Sequence, residues 1–456
     1  MHLQLYLLKK KTQQDSPNQS SHLLLPTEIL LAIFAALPRP FELFGHLRGI
    51  EYDETVVHPL LDRQTTLFNL VLVCKYWNTI LTPALYSYPT LPNIKHAYRL
   101  RHTLKSKPTL IPLLKRIHVT SIAIHSRDLY LFEEFLPSKS TIARVWNEVV
   151  HKQVYHPASH NIIKLLTLCT NVESLTIHYP YFRYLDAQRH HILFPILMQS
   201  PELSGKWKFS LKRLFINAFE FKGQEFTNIG TFVNLQILSL RGCRFERYRS
   251  ITFPALPSLH TLQFIDCEFY KNIQGPFLLP SIHTLQSFHT QYHTATPWIA
   301  MLSLPTLKTI HSIGMADNFL PVFLAGYMPD ILNVTDLTLG DADVTFVFPF
   351  RIERYTIPKD LQRLTLFFKE PTSSVLNRMN QFIKHNDIQK SPVRIRKITI
   401  NIARMPPKHL WLDEWEDVVR TTSALGIEVE LHQLDVFSWM AMQINDLSEW
   451  GTLRSI

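Results

Sequence analysis

One heptapeptide occurs three times at a nearly fixed distance. Leu256-Pro-Ser-Leu-His-Thr-Leu262 comes back as Leu279-Pro-Ser-Ile-His-Thr-Leu285 and as Leu304-Pro-Thr-Leu-Lys-Thr-Ile310, at offsets of 23 and then 25 residues. Such recurrence constrains folding more than any composition can. A unit of two dozen residues cannot bury its own apolar side chains, so copies must stack and share a core. Relaxing the motif to apolar-x-x-apolar-x-apolar extends the array in both directions. It adds Leu211/Leu214/Ile216, Leu235/Leu238/Leu240, Val334/Leu337/Leu339, Leu361/Leu364/Leu366 and Ile395/Ile398/Ile400. Looser copies stand earlier, at Leu114/Ile117/Val119 and Val172/Leu175/Ile177. The copies beginning at Ile282 and Leu307 carry Ser287 and Ser312 at the third position.

First positions from Leu211 to Leu361 are spaced 24, 24, 23, 25, 27 and 27 residues apart, with 34 more to Ile395. That is the period of leucine-rich repeats, in which a short strand offers alternating apolar residues to a continuous core. Composition now makes sense: the chain holds 66 leucines but only 12 glycines among 456 residues, as expected if leucine fills the same slot repeatedly. Cys243 and Cys267 each fall eight residues after the first leucine of their repeat, at the Asn/Cys position of this repeat class, and are expected to stack inside as a local ladder. The wider intervals before Leu211 predict helical insertions, with Thr141 to Leu168 and Tyr181 to Gln199 reading as helices.

Residues 22–90 follow another pattern. Pro26 and Glu28 suit a first helical turn, Ile29, Leu30, Ile33, Phe34 and Leu37 recur at helical spacing, and Pro38 closes the segment. Further on, Leu67, Leu70, Cys74, Trp77 and Leu81 are spaced 3, 4, 3 and 4 apart, which predicts an apolar seam on one helix ending at Pro83. The pair of motifs, Leu-Pro-x-Glu-Ile-Leu at 25–30 and Leu-Val-Cys-Lys-x-Trp at 72–77, resembles the two halves of an F-box, in family order and followed by repeats as in F-box/leucine-rich-repeat proteins. The connection from Arg39 to Thr65 is longer than the family's and reads as an insertion.

The resemblance implies a substrate receptor of an SCF (Skp, cullin, F-box) ubiquitin ligase. Its head docks on the Skp adaptor, bringing the cullin, and its repeats hold an unknown protein substrate. On the matching positions it assigns adaptor contact to Leu25, Pro26, Ile29, Leu30, Ile33, Leu70, Val73, Cys74 and Trp77. The alternative is a leucine-rich-repeat interaction scaffold without a ubiquitin-ligase role. For the substrate side, His260 and His283 occupy equivalent repeat slots. Arg241, Arg244, Arg247 and Arg249, with Phe245 and Tyr248 among them, predict a basic patch at one rim.

The expected fold class is therefore α/β: an N-terminal helical F-box followed by a leucine-rich-repeat solenoid of irregular horseshoe form. The expected division is a disordered 1–21, an F-box-like 22–90 with its insertion at 39–65, a linker with the first irregular repeats over 91–200, repeats over 201–405, and a cap over 406–456. In that cap, Trp411 to Asp417 read as the acidic opening of a helix stopped by Gly426, followed by a strand at Ile427 to Leu431 and a helix from Leu434 to Trp450.

No GxGxxG, GxxxxGK[ST], HExxH, GxSxG or CxxC occurs, so neither a catalytic residue, a cofactor nor a metal is expected. The formal charge is +10, and Lys95 to Arg116 holds seven basic residues and no acid. This segment matches no nucleic-acid motif and reads as a solvated helix face, so nucleic acid is not an expected partner. No uncharged apolar run approaches the ~18 residues that cross a bilayer. Four scattered cysteines, with lysines after rather than before the opening apolar residues, predict a reducing compartment, cytoplasmic and/or nuclear.

Overall fold

A computed structural model describes residues 57–91, 94–120, 156–178, 207–217, 219–221, 224–245, 251–265, 267–269, 273–274, 278–288, 291–292, 304–313, 333–340, 360–368, 373–385, 395–402, 407, 409 and 411–434. Their dominant element is one sheet. Its strands are β1 (Thr90–Leu91), β2 (Arg116–Thr120), β3 (Ser174–His178), β4 (Arg213–Asn217), β5 (Ile237–Arg241), β6 (Thr261–Ile265), β7 (Thr284–Phe288), β8 (Thr309–Ile313), β9 (Asp336–Gly340), β10 (Arg363–Phe368), β11 (Lys397–Ile402) and β12 (Glu428–His432). The twelve strands lie in sequence order and the ladder is parallel throughout.

Parallel neighbours require the chain to return to the same end of the sheet before each new strand, which a hairpin cannot do. The two dozen residues of a period leave room for that return. Register follows from the two strand leucines. Ile117, Leu175, Leu214, Leu238, Leu262, Leu285, Ile310, Leu337, Leu364 and Ile398 stand side by side. Two residues on, Val119, Ile177, Ile216, Leu240 and Phe264 do the same. A slip of one residue would turn both columns out of the core, so register is strongly fixed. The leucine, isoleucine or valine three residues before each first-column residue is buried as well, from Leu114 to Ile395.

Seven α-helices occur among the described residues: α1 (Val57–Val71), α2 (Lys75–Ser87), α3 (Ile94–Ser106), α4 (His156–Leu168), α5 (Gln224–Thr227), α6 (Ser373–His385) and α7 (Leu412–Ala424). The expected fold class is corrected by this arrangement. Instead of a helical F-box followed by a separate leucine-rich-repeat solenoid, the described chain forms one open twelve-stranded parallel sheet with few helices, taken up from Thr90 onward. The physical reason lies in backbone pairing. Each short strand leaves N–H and C=O groups open on both edges, and only the next strand satisfies them, so pairing runs from β1 to β12. The expected head is not walled off from it: the Gln64 side chain accepts a hydrogen bond from Thr90 N at 3.1 Å, tying α1 to β1.

A second, four-stranded parallel ladder runs beside the middle of the sheet, at Glu220–Phe221, Arg244–Phe245, Glu268–Phe269 and Gln291–Tyr292. It carries a buried aromatic stack. Phe221 and Phe245 stack at 5.2 Å, Phe245 and Phe269 at 4.2 Å, and Phe226 meets Phe245 edge-on at 5.1 Å. Gly242, with φ +55, makes the left-handed turn that carries the chain from β5 toward this ladder, a conformation that costs any side chain with a Cβ. Cys243 and Cys267 are both fully buried there. Cys243 Sγ donates to Ile216 O at 3.4 Å, and Cys267 Sγ to Leu240 O at 3.2 Å. Each thiol thus serves a carbonyl of the preceding repeat, which is why a small donor suits this position. Burial, with Cys243 alongside, holds the Cys267 thiol well above the usual range.

Toward the C-terminus, α7 has Asp413 and Glu414 in its first turn and ends just before Gly426 at φ +70. β12 then pairs with β11. The predicted helix at 181–199, the start of the one at 141–168 and all but Leu434, which is not helical, of the one at 434–450 lie outside the described residues.

Candidate functional site

The expected adaptor contacts are the first group to place. Leu25, Pro26, Ile29, Leu30 and Ile33 lie outside the described residues. Leu70, Val73, Cys74 and Trp77 do not share one helix. The chain breaks at 72–74: Leu72 N bonds Asn69 O at 3.3 Å, Val73 N bonds Leu70 O at 3.1 Å, and Cys74 is extended at φ −159, ψ 169. Cys74 Sγ then caps α2 by accepting from Trp77 N at 3.5 Å. Asn78 Nδ2 donates to Val71 O at 3.1 Å, serving a carbonyl at the end of α1. Pro83, expected as the stop, sits inside α2, which continues to Ser87.

The seam of 3 and 4 spacings therefore closes between two helices. Leu67, Val71 and Leu81 are buried, and Leu70, Trp77, Ile80 and Leu85 pack against them, partly covered. Three apolar side chains remain outside: Phe68 is 53% exposed, Leu72 66% and Val73 58%. Exposed large apolar residues gathered at one corner mark an interaction surface more than scattered ones do. Sequence reasoning named Val73 and missed Phe68 and Leu72. The signal was present as four consecutive apolar residues, Leu70 to Val73, of which one helix face can turn only part inward.

The expected substrate residues lie far along the chain. His260 and His283 immediately precede β6 and β7, both exposed, with ring centroids 5.8 Å apart. His283 N donates to His260 O at 2.9 Å and Lys308 N to His283 O at 2.9 Å, so Lys308 continues the same row. Of the four arginines, Arg241 is buried as the last residue of β5. Arg244 is exposed and paired with Glu268 at 3.2 Å across the short ladder. Arg247 and Arg249 lie outside the described residues. Of the two described arginines, Arg241 is drawn into the sheet, because β5 runs one residue past Leu240, and Arg244 stays exposed.

Among the described residues no set of three His, Cys, Asp or Glu side chains is placed to hold a metal ion. Nor is any described helix long and apolar enough to cross a membrane. The basic helix α3 keeps Arg99, Lys105 and Lys107 beyond its end in solvent, with Arg101 over the Tyr98 ring at 5.5 Å. No protein-family model matches the chain, and no curated protein matches it.

Proposed function

We propose that this chain is the substrate-recognition subunit of an SCF-type E3 ubiquitin ligase, acting in ubiquitin-dependent protein degradation as a non-catalytic adaptor. The observation that carries the reading is the exposed corner of Phe68, Leu72 and Val73, set where the F-box-like residues Leu72 to Trp77 fall. Two short helices that cover Leu67, Val71 and Leu81 between them still leave apolar area in water, and a partner helix laid on that corner would remove it. At about 25 cal/mol per Å², covering three such side chains supplies several kcal/mol toward association. In this reading the Skp adaptor and its cullin sit on the corner. The protein substrate lies along the sheet, where His260, His283 and Lys308 form a row suited to an acidic segment.

Co-purification with a Skp adaptor tests the proposal. Wild type is expected to bring the adaptor down, and Leu72→Asp or Val73→Asp to lose it while keeping the wild-type melting temperature, since both side chains already face solvent. Failure of folded wild type to bind, or full binding by both variants, would overturn it.

A further inference from the structure

Where the helices meet the start of the sheet, α1, the end of α2, β1 and α3 enclose a cleft of about 410 Å³. Binding pockets for small organic ligands run from about 300 to 1,000 Å³ and combine apolar walls with a few convergent polar groups. This cleft has both. On α3, His96, Arg99, Leu100 and Thr103 line it at spacings of three, one and three, one face of a helix whose other face buries Ala97 and Leu104 in the core. Phe68 and Leu85 supply apolar wall opposite, and Tyr86 adds a hydroxyl.

The charge is one-sided. Arg99 and His96 line the cleft and, among the described residues, no carboxylate does, while the whole of α3, from Ile94 to Ser106, contains no acid. The wall is also held in place, because Gln64, itself a lining residue, is bonded to Thr90 N. An apolar body would be covered by Phe68, Leu85 and Leu100, and a single anionic head would meet the Arg99 guanidinium, the pairing for which arginine's planar fork is best suited.

We infer that this cleft binds a small amphiphilic carboxylate, with its apolar body against Phe68, Leu85 and Leu100 and its head at Arg99 and His96. The cleft shares Phe68 with the exposed corner, but its head group site at Arg99 and His96 does not rest on the adaptor reading.

Calorimetric titration of the full chain with decanoate, decanol and acetate tests the inference. Decanoate is expected to saturate one site. Arg99→Gln should weaken decanoate at least tenfold and leave decanol unchanged, and acetate should not bind. Thr103→Trp or, from the opposite wall, Thr65→Trp should abolish both decanoate and decanol in protein that keeps the wild-type circular dichroism and melting temperature. Lack of saturable decanoate binding to folded wild type, decanoate binding unchanged in whichever filling variant folds, or acetate binding as tightly as decanoate would overturn the inference. Vesicles of phosphatidylcholine and oleic acid should not sediment the chain; sedimentation lost in Arg99→Gln would assign the basic face to a membrane instead.

Discussion

The middle of the sheet and its C-terminal end share the same inner columns and differ in everything around them. From β5 to β7 the facing side is a chain of buried amides: Ser239 Oγ donates to Gln263 Oε1 at 2.5 Å, and Gln263 Nε2 to Gln286 Oε1 at 2.7 Å. The phenylalanine stack runs alongside. From β9 to β12 the first strand positions are Asp336, Arg363, Lys397 and Glu428, lined up in register. Asp336 is bonded to Arg363, and Lys397 Nζ reaches Glu430 at 2.6 Å and Glu428 at 3.6 Å. The apolar columns thus set register in both regions, while what lies outside the columns decides how each region answers to solvent. A middle built on aromatic packing and buried amides should respond to lost volume or a lost bond. An end built on exposed charge should respond to pH and salt.

The sharpest way to break this contrast is to remove a ring. Phe245→Ala takes out the member of the stack between Phe221 and Phe269, and a large-to-small change of that kind costs about 3–5 kcal/mol. Urea unfolding is the measurement; a loss below about 1 kcal/mol would mean that the stack collapses without cost. Next comes His311, which donates to or accepts from Thr338 Oγ1 at 2.9 Å. Burial pushes it down to about 4, against a smaller upward pull from the Asp336 carboxylate. A histidine depressed in the folded state takes up its proton more readily when unfolded. Its contribution is therefore complete above about pH 6.5 and falls as pH drops toward about 4, by on the order of 3 kcal/mol. His311→Gln should flatten the stability profile over that window.

Gln263→Ala removes both bonds of the amide chain and strands Ser239 and Gln286 in a buried setting, a cost of about 1–3 kcal/mol. The double change with Gln286→Ala should cost less than the sum of the two single changes, because the second removes an already unpaired group. Arg363→Ala closes the series with an effect of about 0.2–1 kcal/mol that disappears in high salt, since its side chain is mostly in water. At the same end, hydrogen bonds from Lys397 and His432 hold Glu430 at about 2. Its contribution is present above about pH 4.3 and fades as pH falls toward about 2. Lys397→Ala should lessen that acid sensitivity.

Much of the sheet could be read in advance at particular residues. Leu214, Leu238, Leu262, Leu285 and Leu337 are strand residues because their spacing repeats, and Cys243 and Cys267 are buried because they hold one place in that period. What the period did not disclose was the continuity of the sheet. β1 is two residues long, Thr90–Leu91, and carries no repeat signature; it pairs because β2 leaves an open edge. The exposed apolar corner was legible in part. Leu72 and Val73 belong to the motif at 72–77, whereas Phe68 emerges only once the chain breaks at Cys74 and two helices share one seam. Arg241 and Arg244 looked alike in sequence, yet one is buried and the other paired with Glu268, a partner 24 residues away.

What the sequence alone determined was which residues repeat, and therefore which side chains lie in the inner columns: periodicity is a local property, and a strand's alternation needs only its own residues. Tertiary structure alone decided that the columns join into a single twelve-stranded sheet, that α1 and α2 leave Phe68, Leu72 and Val73 in water, and that α3 closes a basic cleft over β1. Each of these depends on which edge, face or charge is left over after neighbours have paired, and pairing is settled between segments far apart in the chain.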